Sequence, residues 1–390
     1  MGTGREGAPG VGAGRSGTSR SAPPAKGSDH GHHVRAALAI AVQIGEPVLL
    51  WGGPGEGKTR LVESVADQLG RPCEVVVGSV REASDFAGLP LRDGSSVTFA
   101  PPRWATDCVE RPGTVVFLDE LSTASPSVQA AMLRVVLERH VGDLRLPDTV
   151  SFVAAANPPE LSAGGDDLSA PLANRFCHLE WEATVAGWST GMLRGWAPRD
   201  VPIVAEHRSA FVDRWRATVV AFVSARPSNL RQVPADAVGQ GRAWPSPRTW
   251  DAAHRVAAAS DAAGAHPEVR RLLVSGLVGQ GPAIELLRFA DSMDLPDPEA
   301  LLIDPTLLPT DARIDLLLAA LAGVATAVAG DPSQERWEAA WDVLEVACGA
   351  GRADVAAMSA TSLVELRQRD WPAPRTAAAF APLLRAAELV

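Results

Sequence analysis

The sequence predicts an α/β protein: a mostly parallel five-stranded sheet covered by helices on both faces, continued by an all-helical second half. Two observations predict it. Between residues 47 and 181, five short apolar runs alternate with stretches of helical spacing, and strands separated by helices pair in parallel between helical layers. Beyond about residue 182 the strand signals fade into Ala- and Leu-rich segments with helical periodicity.

The elements follow in order. Residues 1–33 are rich in Gly, Ser, Arg and Pro and bury too little apolar surface to offset ordering entropy, so a disordered tail is expected. Its His30, His32 and His33 run lacks cysteine or acidic partners and reads as incidental. Residues 34–44 are helical in composition, and 47–51 form a short apolar strand ending in glycines. A helix over 61–69 and a second strand over 73–77 come next. The third strand, 114–118, lies between Pro112-Gly113 and Asp119-Glu120. Residues 125–140 form an amphipathic helix with Ser125 as N-cap and Pro126 in its first turn. Strands over 150–156 and 177–181 complete the sheet. The expected division is a tail at 1–33, a core at 34–182, a helical segment at 183–260 and a further helical region of unassigned role at 261–390. In that region Trp337, Trp341, Leu344 and Cys348 share one helix face and read as core. The apolar segment 316–329 is too short to span a bilayer and reads as a buried helix.

Composition narrows the chemistry. Hydrophobic residues make up 46% and charged residues 21%, and the formal net charge is −10. An acidic chain repels phosphate backbones on average, which disfavours a broad nucleic-acid surface. Only Lys26 and Lys58 are lysines, the other 34 of 36 basic residues being arginine. A compact ammonium on a flexible stem suits a phosphate clamp where a planar guanidinium does not. Cys73, Cys108, Cys177 and Cys348 lie far apart without metal-type spacing, which fits reduced thiols and a cytoplasmic location. No apolar stretch near the amino terminus resembles a signal peptide.

Residues 52–59 read GGPGEGKT between a strand and a helix. That context makes Gly52, Gly53, Pro54, Gly55, Glu56, Gly57, Lys58 and Thr59, with Arg60 beyond them, a phosphate cradle whose backbone N–H groups point inward at a helix start. Lys58 is placed to reach the outer phosphates and Thr59 to offer its hydroxyl to Mg²⁺. The stretch TVVFLDEL, residues 114–121, sets two carboxylates at the carboxyl edge of a buried strand. Asp119 is suited to the Mg²⁺ shell with Thr59, and Glu120 to activating the attacking water. A pair of acids there exceeds what a switch needs and predicts ATP hydrolysis. Asn157 follows the fourth strand at the same edge and is placed to orient the water or the terminal phosphate. Arg175 in LANRF precedes the fifth strand, and Arg248 in WPSPRTW opens a helix capped by Ser246.

From residue 34 to about residue 260 the chain resembles the MoxR-type AAA+ ATPases. The resemblance makes GGPGEGKT the Walker A motif, VVFLDE Walker B, Asn157 sensor 1, Arg175 the arginine finger and Arg248 sensor 2. Residues 84–104 resemble the insert this group carries in its second helix, and AMLRVVLERHVG with LRLPDTVSFVAAANP its helix and short hairpin before sensor 1. LSTAS after Walker B, and LANRF where an Asp often precedes the Arg, depart from the pattern. The resemblance implies an AAA+ αβα sandwich with a helical lid over 183–260. It also implies hexameric rings with ATP and Mg²⁺ at the interfaces, chaperone-like remodelling of a protein client, and a partner carrying a von Willebrand factor A domain. Two other functions fit the same residues. A nucleic-acid-remodelling ATPase requires a basic strip, and a slow nucleotide-gated binding module requires a site that hardly turns over.

Overall fold

The computed structural model describes residues 26–158, 161, 168–196, 200–206, 208–293, 295–368, 370–372, 376 and 380. It opens on helix α1 (Lys26–Ile44) and strand β1 (Val48–Trp51). Helix α2 (Lys58–Gln68) and β2 (Cys73–Val77) follow. The expected insert is a one-turn helix α3 (Ser84–Ala87) and a hairpin, β3 (Leu89–Asp93) with β4 (Ser96–Ala100), leading to α4 (Arg103–Glu110). Then come β5 (Val115–Asp119), α5 (Pro126–Glu138), a small hairpin of β6 (His140–Val141) and β7 (Leu144–Arg145), and β8 (Ser151–Ala156). The short α6 (Ala170–Ala173) precedes β9 (Cys177–Glu180).

Five strands form one sheet in the order β2-β5-β8-β1-β9, and every neighbouring pair is parallel. Alternation along the strands fills both faces, as a sheet buried between helical layers requires. Leu50, Phe117, Val153 and Leu179 point into one core with α1 and α2. Leu49, Leu118, Phe152 and Ala154 point into the other with Phe86, Trp104 and Met132. Phe86 and Trp104 are therefore packing residues: both are buried, their rings lie 6.1 Å apart, and the indole donates to the Asp85 carbonyl.

Among the described residues the regular elements after β9 are helices: α7 (Val185–Arg194), α8 (Ser209–Ala225), α9 (Ala237–Gln240), α10 (Pro247–Ala262), α11 (Pro267–Val278) and α12 (Gln280–Asp291). Helices α13 (Pro298–Ile303), α14 (Ile314–Gly330), α15 (Gln334–Gly349) and α16 (Ala353–Leu366) complete the described helices. A third core holds Leu321, Trp337, Trp341 and Leu344, where the Trp337 and Trp341 rings meet edge-on. Among the described residues no helix is long and apolar enough to cross a membrane.

Two boundaries differ from the sequence reading. The tail expected over 1–33 lies outside the described residues as far as residue 25, but from Lys26 the chain is already helical. The apolar-poor composition hid this stretch of helix, which gains a tertiary partner at its end: the His33 ring stacks on His266 at 4.7 Å. The boundary expected near 260 falls inside α10, where Ser260 is buried. Val269, Leu273 and Val274 of α11 join the core of α1 and β1, and the Cys177 thiol of β9 reaches the Leu273 carbonyl at 3.4 Å. An apolar stripe that packs on a sheet reads in sequence like one that packs on other helices.

Three buried titratable groups contribute to the response to acid. Burial pushes His178 and His254 down to about 4 and the Glu46 carboxyl up to about 7, despite Arg255 beside it. Unfolded histidine takes its proton near pH 6.5. Both histidines therefore contribute stability above that pH which is lost as pH falls toward 4. Glu46 acts with the opposite sign, since the folded chain binds its proton from about pH 7 downward and the unfolded chain only near 4.5. Two groups outweigh one. Thermal melts are expected to show a plateau close to neutrality and a falling Tm from about pH 6.5 to 4. His178→Gln, which keeps a donor and an acceptor, should flatten that fall.

Candidate functional site

The parallel register brings four loops to one sheet edge. Trp51 at the end of β1 lies opposite Ala156 of β8, and Val77 at the end of β2 opposite Asp119 of β5. The chain thus leaves these strands side by side at Gly52, Gly78, Glu120 and Asn157. Gly55 and Gly57 take φ of +79° and +82°, a region L side chains rarely enter, so the loop can close into a cradle before α2. Gly52 is small for another reason: a Cβ there would meet the Trp181 carbonyl oxygen at 2.5 Å. From the other side the Trp181 indole donates to the Glu56 carbonyl at 2.9 Å. The loop is held at both ends by the residue that follows β9.

Lys58 is buried at 8% exposure and spends all three ammonium protons locally. Nζ donates to the Gly52 carbonyl at 2.6 Å, the Gly53 carbonyl at 2.9 Å and Asn157 Oδ1 at 3.0 Å. Burial lowers its pKa below the usual lysine value, against the opposing pull of Asp119, Glu56 and Glu120. Thr59 Oγ1 donates to Asp119 Oδ2 at 3.0 Å, while Asp119 Oδ1 accepts from the Glu120 amide at 2.9 Å. A hydroxyl and a carboxylate so paired, beside an inward ammonium and an open glycine turn, are the donor set a hard divalent cation and a phosphate chain require. The residues present fit Mg²⁺-ATP.

Glu120 stands in the left-handed region at φ 57°, unusual for a residue with a side chain. This turn separates the two acids: Asp119 faces Thr59, whereas Glu120 Oε2 accepts a hydrogen bond from Ser79 Oγ. Ser122 Oγ accepts from the Asn157 amide at 3.2 Å and fixes the loop after β8. Sequence reasoning missed Ser79 and Ser122. Ser79 follows β2 by two residues, and that position at the shared edge is the signal that could have found it.

Lys58, Thr59, Asp119, Glu120 and Asn157 are brought together. The Arg60 guanidinium is placed elsewhere, paired with Glu63 at 3.0 Å on the outer side of α2. Arg175 and Arg248 are grouped with each other and not with the cradle. Both line a cavity to which none of residues 52–59 contributes. Burial and the Arg248 charge push Arg175 down to about 10, and its buried Nε has no hydrogen-bond partner.

A polar relay joins these regions. Trp51 Nε1 donates to His178 Nδ1 at 2.8 Å, and the neutral imidazole therefore carries its proton on Nε2, which meets the Ala173 carbonyl of α6 at 2.9 Å. Asn174 next in the chain donates to the Trp244 carbonyl at 3.2 Å and accepts from Ser246 Oγ at 2.9 Å. Ser246 caps α10 in a reciprocal capping box with Thr249, Pro247 takes the first position, and Arg248 is fixed in the first turn.

Comparison with known proteins agrees with this geometry. Residues 47–176 match the family profile of the AAA domain, dynein-related subfamily. That span covers β1, β2, β5 and β8 with the loops just described, and makes this segment an AAA+ ATPase domain. Midasin from Giardia intestinalis is 27% identical over 155 residues, covering 36% of this chain and 3% of its own length. A crystal structure from Cytophaga hutchinsonii, provisionally described as an ATPase, is 16% identical with a TM-score of 0.43. That alignment covers 64% of this chain and 82% of the other, and a likeness so loose carries no argument.

The Ser79 hydroxyl occupies an oxygen of Glu120 that activation of a water would need free. Ser79→Ala is expected to raise ATP turnover about tenfold, the equivalent of one charge-assisted hydrogen bond of about 1.5 kcal/mol, with nucleotide affinity unchanged. A fall in turnover in a steady-state assay would mean that the hydroxyl positions the carboxylate for reaction.

Proposed function

We propose that the chain hydrolyses ATP with Mg²⁺ and uses the energy to remodel a protein client from within a ring of its own copies, in the manner of MoxR-type ATPases. One observation carries the reading: the Lys58 ammonium, the Thr59–Asp119 pair and the Glu120 carboxylate meet at one sheet edge. Lys58 and the loop amides hold the phosphates. Thr59 and Asp119 hold the cation, which when bound neutralises charge on the phosphate oxygens and fixes them for in-line attack. Asn157, bonded to Lys58, keeps the ammonium aimed and offers its amide to the terminal phosphate. Glu120 accepts a proton from water as the water attacks.

The ring supplies what one chain lacks. Arg175 and Arg248 line a cavity to which none of residues 52–59 contributes, which supports a role for them at the phosphates of an adjacent copy. A hexamer, a partner with a von Willebrand factor A domain and a cytoplasmic setting accompany this reading. The net charge of −10 favours a protein client over a nucleic acid.

Two variants test it. Glu120→Gln is expected to bind ATP and lose turnover by roughly 10²–10⁴-fold, the usual worth of a general base. A nucleotide-gated switch would lose almost nothing. Arg175→Ala should lose on the order of 10³-fold in turnover while binding a fluorescent ATP analogue normally. Wild-type turnover per chain should rise with protein concentration as rings assemble. A dilute monomer working at full rate would remove the ring from the account.

A further inference from the structure

Arg175 and Arg248 do not have their cavity to themselves. Its volume is about 340 Å³, and a third arginine, Arg231, lines it together with Pro171, Asn174 and Trp244. Among the described residues no acidic side chain lines it. None of the three guanidiniums has a carboxylate within ion-pair distance among the described residues, whereas Arg242 pairs with Glu180 at 2.7 Å and Arg336 with Glu299 at 2.7 Å. The sequence holds 46 acidic and 36 basic residues, so partners are plentiful, yet the described lining of this hollow has none.

Like charges left to themselves separate. Here separate elements hold them in place. Arg175 follows α6, Arg248 sits in the capped first turn of α10, and Arg231 lies beyond the 3₁₀ turn Pro227–Asn229. The Asn174 bonds to Trp244 and Ser246 tie α6 to the stretch that enters α10, and the Trp250 indole of α10 donates to the Asn229 carbonyl at 2.8 Å, which anchors the turn before Arg231. Among the described residues nothing offsets the repulsion so fixed: the buried Arg175 Nε has no hydrogen-bond partner there. Planar guanidiniums converging on a concave, acid-free surface match phosphate oxygens. The volume lies at the low end for ligand pockets, which suits part of a ligand whose remainder is held elsewhere.

We propose that Arg231 is a third phosphate-contacting residue: with Arg175 and Arg248 it forms a basin that receives the triphosphate bound in the cradle of an adjacent copy. The assignment rests on the ring-ATPase reading. Three positive charges spread over the triphosphate meet the charge that grows on its oxygens as the terminal bond breaks. Arg231 is exposed and folds nothing in place, so its removal acts on the reaction and not on the fold.

The test uses the full-length chain. Arg231→Ala should retain the wild-type melting temperature and its affinity for a fluorescent ATP analogue as a dilute monomer, and lose tenfold or more in kcat. Arg231→Lys, which keeps the charge without the planar fork, should recover part of that loss. Mixing Arg231→Ala, impaired alone, with Lys58→Ala, inactive alone, should give turnover above their sum, because the intact cradle of the first meets the intact basin of the second. Normal kcat in Arg231→Ala, while Arg175→Ala with Lys58→Ala still complement each other, would overturn the assignment of Arg231 and leave the ring reading standing. If neither mixture exceeds its sum, the ring reading falls with it.

Discussion

Parallel pairing of β1 with β8, and of β8 with β5, is the constraint on which the site depends. Because the register sets Trp51 against Ala156 and Leu118 against Ala154, the chain leaves three adjacent strands at one level. A cradle, an acidic pair and an asparagine amide then meet although nearly a hundred residues separate Lys58 from Asn157. Slipping one strand by a residue would turn its core side chains to the opposite face. The hydrophobic effect that fixes the sheet therefore fixes the catalytic distances as well.

Much of this was legible in the sequence. Strand runs that end in glycines or acids carry both their secondary structure and their position at the sheet edge, so Lys58, Thr59, Asp119, Glu120 and Asn157 could be placed together in advance. What escaped were single polar residues whose meaning lies in a distant neighbour. Ser79 means little until Glu120 turns toward it through a left-handed backbone. His178 looks like any strand histidine until Trp51 and Ala173 fix its tautomer. Arg231 is one arginine among 34, and nothing local marks it. The start of α1 and the continuity of α10 with α11 were lost for a related reason: periodicity reports that a face is buried, but not against what.

The relay from Trp51 through His178 to Ala173 gives the two charged regions of the chain a physical link. The indole stands at the root of the cradle and the carbonyl at the end of the short helix that presents Arg175. Asn174 carries the connection on to the cap of α10 and so to Arg248. The same hydrogen bonds that satisfy buried polar groups also fix how far the arginines lie from the sheet. In a closed ring, the spacing between a subunit's own cradle and the arginines it extends to its neighbour would be set by this relay rather than by the subunit contact alone.

Helix α14 belongs to two cores at once: Ala319 lies in the first, while Leu317, Leu321 and Val324 lie in the third. Gly323 lets it approach α13, since a Cβ there would stand 3.1 Å from Pro298, while Ala217 of α8 lies at an ordinary 3.9 Å. A rod gripped on opposite sides cannot slide against one body without dragging the other. The block built on Trp337 and Trp341 is thus bolted through α14 to the core that holds α8, so the two bodies are constrained to move as one.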